Sequence, residues 1–254
     1  MNKIISGYLW AYKNIDSGIK SLQSLQKYYP NSDLFVNVDF EGDYIGYKKE
    51  GDRIGAITTI NKFQLGYCGN FGNVHVGYDC WSKKSTFEWF NQFYNACKSS
   101  DSYYMILLEE DDFILKPISL LEYDFDIAIH PTDPSPTGRI RPNFINTEFF
   151  EYSKMKGGTD TCPGYASGGG TIVNREKFIL AWDTCKDYFY QDYDSLVKIN
   201  KIIGWVDFSL QFIMMLGGYQ VIQNTFLCEH WEVPEHWNQF EIITGLKDHT
   251  LITL

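Results

Sequence analysis

The chain has 254 residues, 44% hydrophobic and 21% charged, a balance that fits one globular α/β domain with a sizeable core. Its 32 acidic against 22 basic residues give a net charge of −10, which repels polyanions and argues against nucleic acid as a partner. The six cysteines (Cys68, Cys80, Cys97, Cys162, Cys185, Cys228) form no C-x-x-C pair and no stretch reaches the length of a membrane span. The expectation is therefore reduced thiols, no transmembrane segment and a cytoplasmic location, the host cytoplasm for a viral source.

Lys3 to Trp10 reads as a first strand. Asp16-Ser17 then caps a helix whose apolar residues Ile19, Leu22 and Leu25 recur at helical spacing, stopped at Tyr29-Pro30. Asp33 to Asp39 reads as a second strand, ending in the polar turn Phe40 to Asp43. Strand, helix and strand with short links are the βαβ unit of a parallel sheet. A glycine-rich stretch, Gly66 to Gly77, leads to an amphipathic helix around Thr86 to Lys98, with Phe87, Phe90, Phe93, Tyr94 and Cys97 on its apolar side. Tyr103 to Leu108 is nearly continuously apolar, the pattern of a parallel strand buried on both faces.

Pro131 to Pro142 reads as a loop carrying Arg139 and Arg141, the basic groups best able to meet a phosphate. Gly164 to Gly170 precedes an apolar strand, Thr171 to Val173, and a helix beginning near Asn174. A later helix holding Phe208, Phe212 and Met215 stops at Gly217-Gly218. An apolar strand, Val221 to Leu227, leads to a tail with His230, Trp231, His236 and Trp237.

The residues that carry chemistry centre on Glu109-Glu110-Asp111-Asp112, directly after the buried strand. Adjacent carboxylates raise one another's pKa unless a cation or solvent compensates. Hard oxygen ligands of this kind suit Mg2+ or Mn2+, which share their coordination with substrate phosphates. Ligands of open α/β sheets bind at the carboxyl ends of strands, where this run lies. A solvated turn or a structural calcium site is the plainer alternative.

Leu107 to Leu115 resembles the D-x-D region of GT-A glycosyltransferases in its E-D-D form, and Ile4 to Tyr8, Ser21 to Pro30 and Leu34 to Asp39 are similar to their nucleotide-binding half. The resemblance implies a Rossmann-like, mostly parallel sheet flanked by helices in a single domain. About 1–115 would bind the nucleotide and about 116–254 the acceptor. It implies that Gly7, Tyr8 and Asp39 hold the nucleoside, and that Glu110 and Asp111 serve the donor. Glu110, Asp112 and His230 would bind the metal, Mn2+ or Mg2+, with His236 the second choice of histidine. Gly164 to Arg175 resembles the glycine-rich segment of the Fringe-like group, which implies Gly168 and Gly169 under the donor sugar. Asp207 matches that group's general base at a helix start, and capping that helix is its structural alternative.

These readings imply a hexosyl- or pentosyltransferase, with a modest preference for inversion. It would move sugar from a UDP- or GDP-sugar to a hydroxyl of a glycan or glycoprotein. Two other classes remain open: a nucleotidyl or phosphate transferase, and a non-catalytic calcium-dependent carbohydrate-binding module. The first would need a basic glycine-rich loop near the first strand, which the segment after Ser6 lacks. No Walker loop is present either.

Overall fold

A computed structural model describes residues 3–63, 82–110, 112–114, 116–129, 147–159, 170–199 and 206–223. Among these residues seven strands form one sheet, β1 (Ile5–Ala11), β2 (Leu34–Val38), β3 (Ile57–Ile60), β4 (Tyr104–Glu109), β5 (Ile127–Ile129), β6 (Ile172–Asn174) and β7 (Val221–Gln223). Their order is β3-β2-β1-β4-β6-β5-β7. β3, β2, β1 and β4 are mutually parallel. β6 runs antiparallel to both β4 and β5, and β5 pairs parallel with β7, so β6 alone opposes the rest.

Among the described residues, six α-helices flank the sheet: α1 (Ile15–Tyr28), α2 (Tyr44–Ile54), α3 (Lys83–Ser99), α4 (Thr147–Met155), α5 (Arg175–Ile199) and α6 (Val206–Leu216). The α/β, mostly parallel architecture expected from the sequence is therefore present. Alternation along the strands sorts side chains to the two faces. Ile5, Leu9, Val36 and Leu108 meet Leu22 and Leu25 of α1 and Tyr47 of α2 in one cluster. Tyr8, Phe35, Met105 and Leu107 meet Phe90 and Phe93 of α3, Trp182 of α5 and Phe212 of α6 in the other. Much of the aromatic content is spent there, as in the stacked pair Phe90–Trp182 at 5.3 Å between ring centroids.

The chain steps outward from β1 through β2 to β3, then returns to place β4 on the other side of β1. That reversal makes the carboxyl ends of β1 and β4 the topological switch point, where open α/β sheets form their ligand crevice. β1 extends one residue beyond Trp10, which puts Gly7 and Tyr8 in mid-strand. α1 begins at Ile15 with Asn14 as N-cap, so Asp16 lies in its first turn rather than ahead of it. α6 ends before Gly217-Gly218 as expected, and the Gly217 N–H donates to Ile213 O at 3.0 Å.

Candidate active site

At the switch point the end of β1 becomes the loop Tyr12-Lys13-Asn14, and the end of β4 becomes the acidic run. Backbone bonds lash this edge together. The Asp39 N–H donates to Ala11 O and the Asp43 N–H to Tyr12 O, both at 2.7 Å. Glu110 crosses from β4 to the same loop: its Oε1 accepts from the backbone N–H of Tyr12 at 2.5 Å and of Asn14 at 3.0 Å. The Tyr47 hydroxyl of α2 donates to that oxygen at 2.7 Å. Burial first, and the Glu110 carboxylate second, push the Tyr47 phenol far above its ordinary pKa, so it stays a donor.

Asp112 is buried, and its Oδ2 accepts from the Glu109 N–H at 2.7 Å while the Asp112 N–H returns a bond to Glu109 O at 3.2 Å. The carboxylate thus folds the chain back at the strand end. Asp39 is buried too, with Oδ1 accepting from the Phe40 N–H at 2.8 Å, a turn-forming arrangement at the end of β2. The Gly170 N–H donates to Leu107 O at 3.0 Å, and the Leu107 N–H to Thr171 O at 2.9 Å. Gly170, the last residue of the glycine-rich stretch, therefore lies beside β4, two residues before Glu109.

Gly7 and Tyr8 lie elsewhere than the sequence suggests. A Cβ on Gly7 would stand 2.8 Å from Leu25 Cδ2, so this glycine lets α1 close onto the strand. Tyr8 is packed edge-on against Trp89 and Phe93 at centroid separations of 5.6 and 5.0 Å. Burial raises its phenol well above the usual range. Both belong to the helix–sheet packing, and the loop that follows β1 is Tyr12-Lys13-Asn14 instead. Asp207 is the second residue of α6. Asp111, Gly168, Gly169, His230 and His236 lie outside the described residues, as do Arg139, Arg141, Trp231, Trp237 and the stretch 66–77.

The sequence reading missed a polar row on the α3 face, one step before the carboxyl edge. Strand register sets Thr59, Asn37, Trp10 and Glu109 side by side across β3, β2, β1 and β4. Thr59 Oγ1 donates to Asn37 Oδ1 at 3.3 Å. Asn61 follows at the end of β3, its N–H bonded to Val38 O at 2.9 Å. Among the described residues, Asn37 Nδ2, both amide atoms of Asn61 and Trp89 Nε1 are buried without a hydrogen-bond partner. Such groups cost free energy until something satisfies them. A signal existed: Val36-Asn37-Val38 puts a strand-averse amide inside an apolar strand.

On the rim, Lys13 carries its ammonium 4.5 Å from the centroid of the Tyr12 ring. Its pKa is raised, mainly through its contact with Tyr12, and it supplies positive charge beside the acidic edge. The described carboxylates offer hard oxygen donors, but no three of the described His, Cys, Asp and Glu residues converge as a metal site. By themselves the described residues do not complete a cation's coordination. Among them, no helix is long and apolar enough to cross a membrane.

No protein-family model matches the sequence, and no curated protein does. Solved structures do. Glucosyl-3-phosphoglycerate synthase from Mycobacterium tuberculosis with uridine diphosphate matches at 10% identity and TM-score 0.39, over 74% of this chain and 68% of that one. The same enzyme with Mn2+, UDP-glucose and glycerol 3-phosphate matches at 10% identity and TM-score 0.36 over the same shares. An apo-form glycosyltransferase of Streptococcus pneumoniae TIGR4 matches at 12% identity and TM-score 0.42, over 94% of this chain and 51% of that one. The chain spans about half to two thirds of the length of the structures it matches. The likeness to these structures is distant.

Proposed function

We propose that the chain is a glycosyltransferase that moves a hexosyl or pentosyl group from a UDP- or GDP-sugar to a hydroxyl of a glycan or glycoprotein. The observation that carries this reading is the acidic run at the β1/β4 switch point, with the end of a glycine-rich segment hydrogen-bonded beside it. Asp39 and the Tyr12–Asn14 loop receive the nucleoside in place of Gly7 and Tyr8. The buried amides of Asn37 and Asn61 offer donors and an acceptor to the edge of a planar heterocycle. Lys13 meets the diphosphate. Gly168 and Gly169 lie under the donor sugar, where backbone can approach closely.

Glu110, Asp112 and His230 hold the divalent cation, with Mn2+ preferred because imidazole suits it. A bound cation would neutralise charge developing on the diphosphate leaving group. Glu110 also serves the donor side through the loop it binds, with Asp111 beside it. Asp207 takes the proton of the acceptor hydroxyl, which makes the reaction inverting. Titration of Mn2+ against a panel of UDP- and GDP-sugars tests the reading. Metal-dependent nucleotide binding is expected, with turnover that falls by about 10²–10⁴ in Asp207→Asn. Calcium-dependent glycan binding without nucleotide affinity would instead identify a binding module.

A further inference from the structure

Tyr47 sits on α2, fully buried, yet its hydroxyl emerges where three elements meet. It contacts Glu110 Oε1 at 2.7 Å and Asn14 O at 3.0 Å. A phenol has one proton, and the charged carboxylate is the nearer and stronger acceptor. The same Glu110 oxygen holds the N–H groups of Tyr12 and Asn14. One carboxylate oxygen and one hydroxyl therefore fix the conformation of the loop at the switch point.

Two helix glycines make room for this arrangement. A Cβ on Gly18 of α1 would stand 2.5 Å from Tyr47 Oη and 3.0 Å from Leu9 Cδ2. A Cβ on Gly46 of α2 would collide with Ile15 Cδ1 and lie 2.7 Å from Asp43 Oδ2. Glycine is a poor helix former, and both of these lie in the first turn of their helices, so close approach of α1 and α2 is bought against local propensity. What that approach gains is the reach of Tyr47 to Glu110.

We propose that Tyr47 is a positioning residue for nucleotide binding: through its hydrogen bond to Glu110 it holds the Tyr12–Asn14 loop in the shape that receives the donor. The proposal rests on the nucleotide-sugar reading above. Tyr47→Phe keeps the ring in its hole and removes only the proton donor. Calorimetric titration with UDP and with GDP, each with saturating Mn2+, reads the consequence. The dissociation constant is expected to rise about tenfold at unchanged stoichiometry. A merely structural defect would lower the stoichiometry and leave the constant where it was, which would overturn the proposal.

Because Tyr47 acts through Glu110, the double variant Tyr47→Phe/Glu110→Gln should bind no more weakly than Glu110→Gln alone. Multiplicative losses would overturn that route. Amide hydrogen exchange separates this proposal from the nucleotide reading. Faster exchange at Tyr12 and Asn14 in Tyr47→Phe supports the latch even if the parent chain binds neither nucleotide. Unchanged exchange at both amides overturns it.

Discussion

Gly18 shows how a single position can oppose its own element. It closes the first turn of α1, and within a helix alanine is preferred over glycine by up to about 1 kcal/mol. The Cβ would nevertheless press on the Tyr47 hydroxyl at 2.5 Å. Forcing atoms into a packed site costs about 1–3 kcal/mol. Gly18→Ala is therefore expected to lower stability by up to roughly 2 kcal/mol in urea unfolding, the sum of those opposed effects. The loss should shrink in a Tyr47→Phe background, where the oxygen is gone. A stabilised Gly18→Ala variant would show that nothing confines the helix there. At this scale the sequence is mute: Gly18, Tyr47 and Glu110 are far apart along the chain, and the packing of α1 on α2 together with the β1–β4 register brings them together. Asn37 was legible, as an amide within an apolar strand, and was passed over.

Among the elements, those with clear periodicity were readable and those without were not. β1, α1 and β2, and later α3 and β4, carry apolar residues at the spacing of their type. α2 buries only Tyr47 and Gly51, so it has no apolar stripe to find. β3 is four residues long with Ile57 and Ile60 exposed at the sheet edge, and β5 has three residues. Neither is long enough to announce itself. The antiparallel course of β6 is set by its neighbours on both sides and by nothing within its three residues. α2 depends instead on its cap, the Asp43 carboxylate that accepts from the Gly46 N–H at 2.9 Å. Asp43→Ala is expected to cost about 1 kcal/mol and to speed amide exchange in the first turn of α2. If exchange there is unchanged, the helix draws its order from packing alone.

Across the whole molecule, the aromatic and sulfur-bearing core sets a pH limit. Burial raises the pKa of Tyr8, Tyr47 and Tyr193 and of the Cys97 thiol, and pushes the Cys185 thiol up to about 12. These groups are acids that fold in their neutral form. Below about pH 8 both folded and unfolded chains keep the protons, and the stabilisation is whole. As pH rises past 9 to 10, the unfolded chain ionises first while the folded chain stays protonated. Stability then falls, each group contributing up to about 1.4 kcal/mol per pH unit. The folding free energy from urea unfolding should thus drop steeply between pH 8 and pH 11. Absorbance titration should show a late tyrosine fraction that ionises together with unfolding. A flat stability profile would place those rings in contact with solvent. The same burial bears on the site: a core that takes so many rings leaves the carboxyl edge to Asp39, Asn61, Glu109, Glu110 and Asp112. The acidic run was legible as a place because a buried strand delivers it there. The division of labour among its carboxylates was not, because pairing across 98 residues from Glu110 to Tyr12 is a property of the assembled sheet.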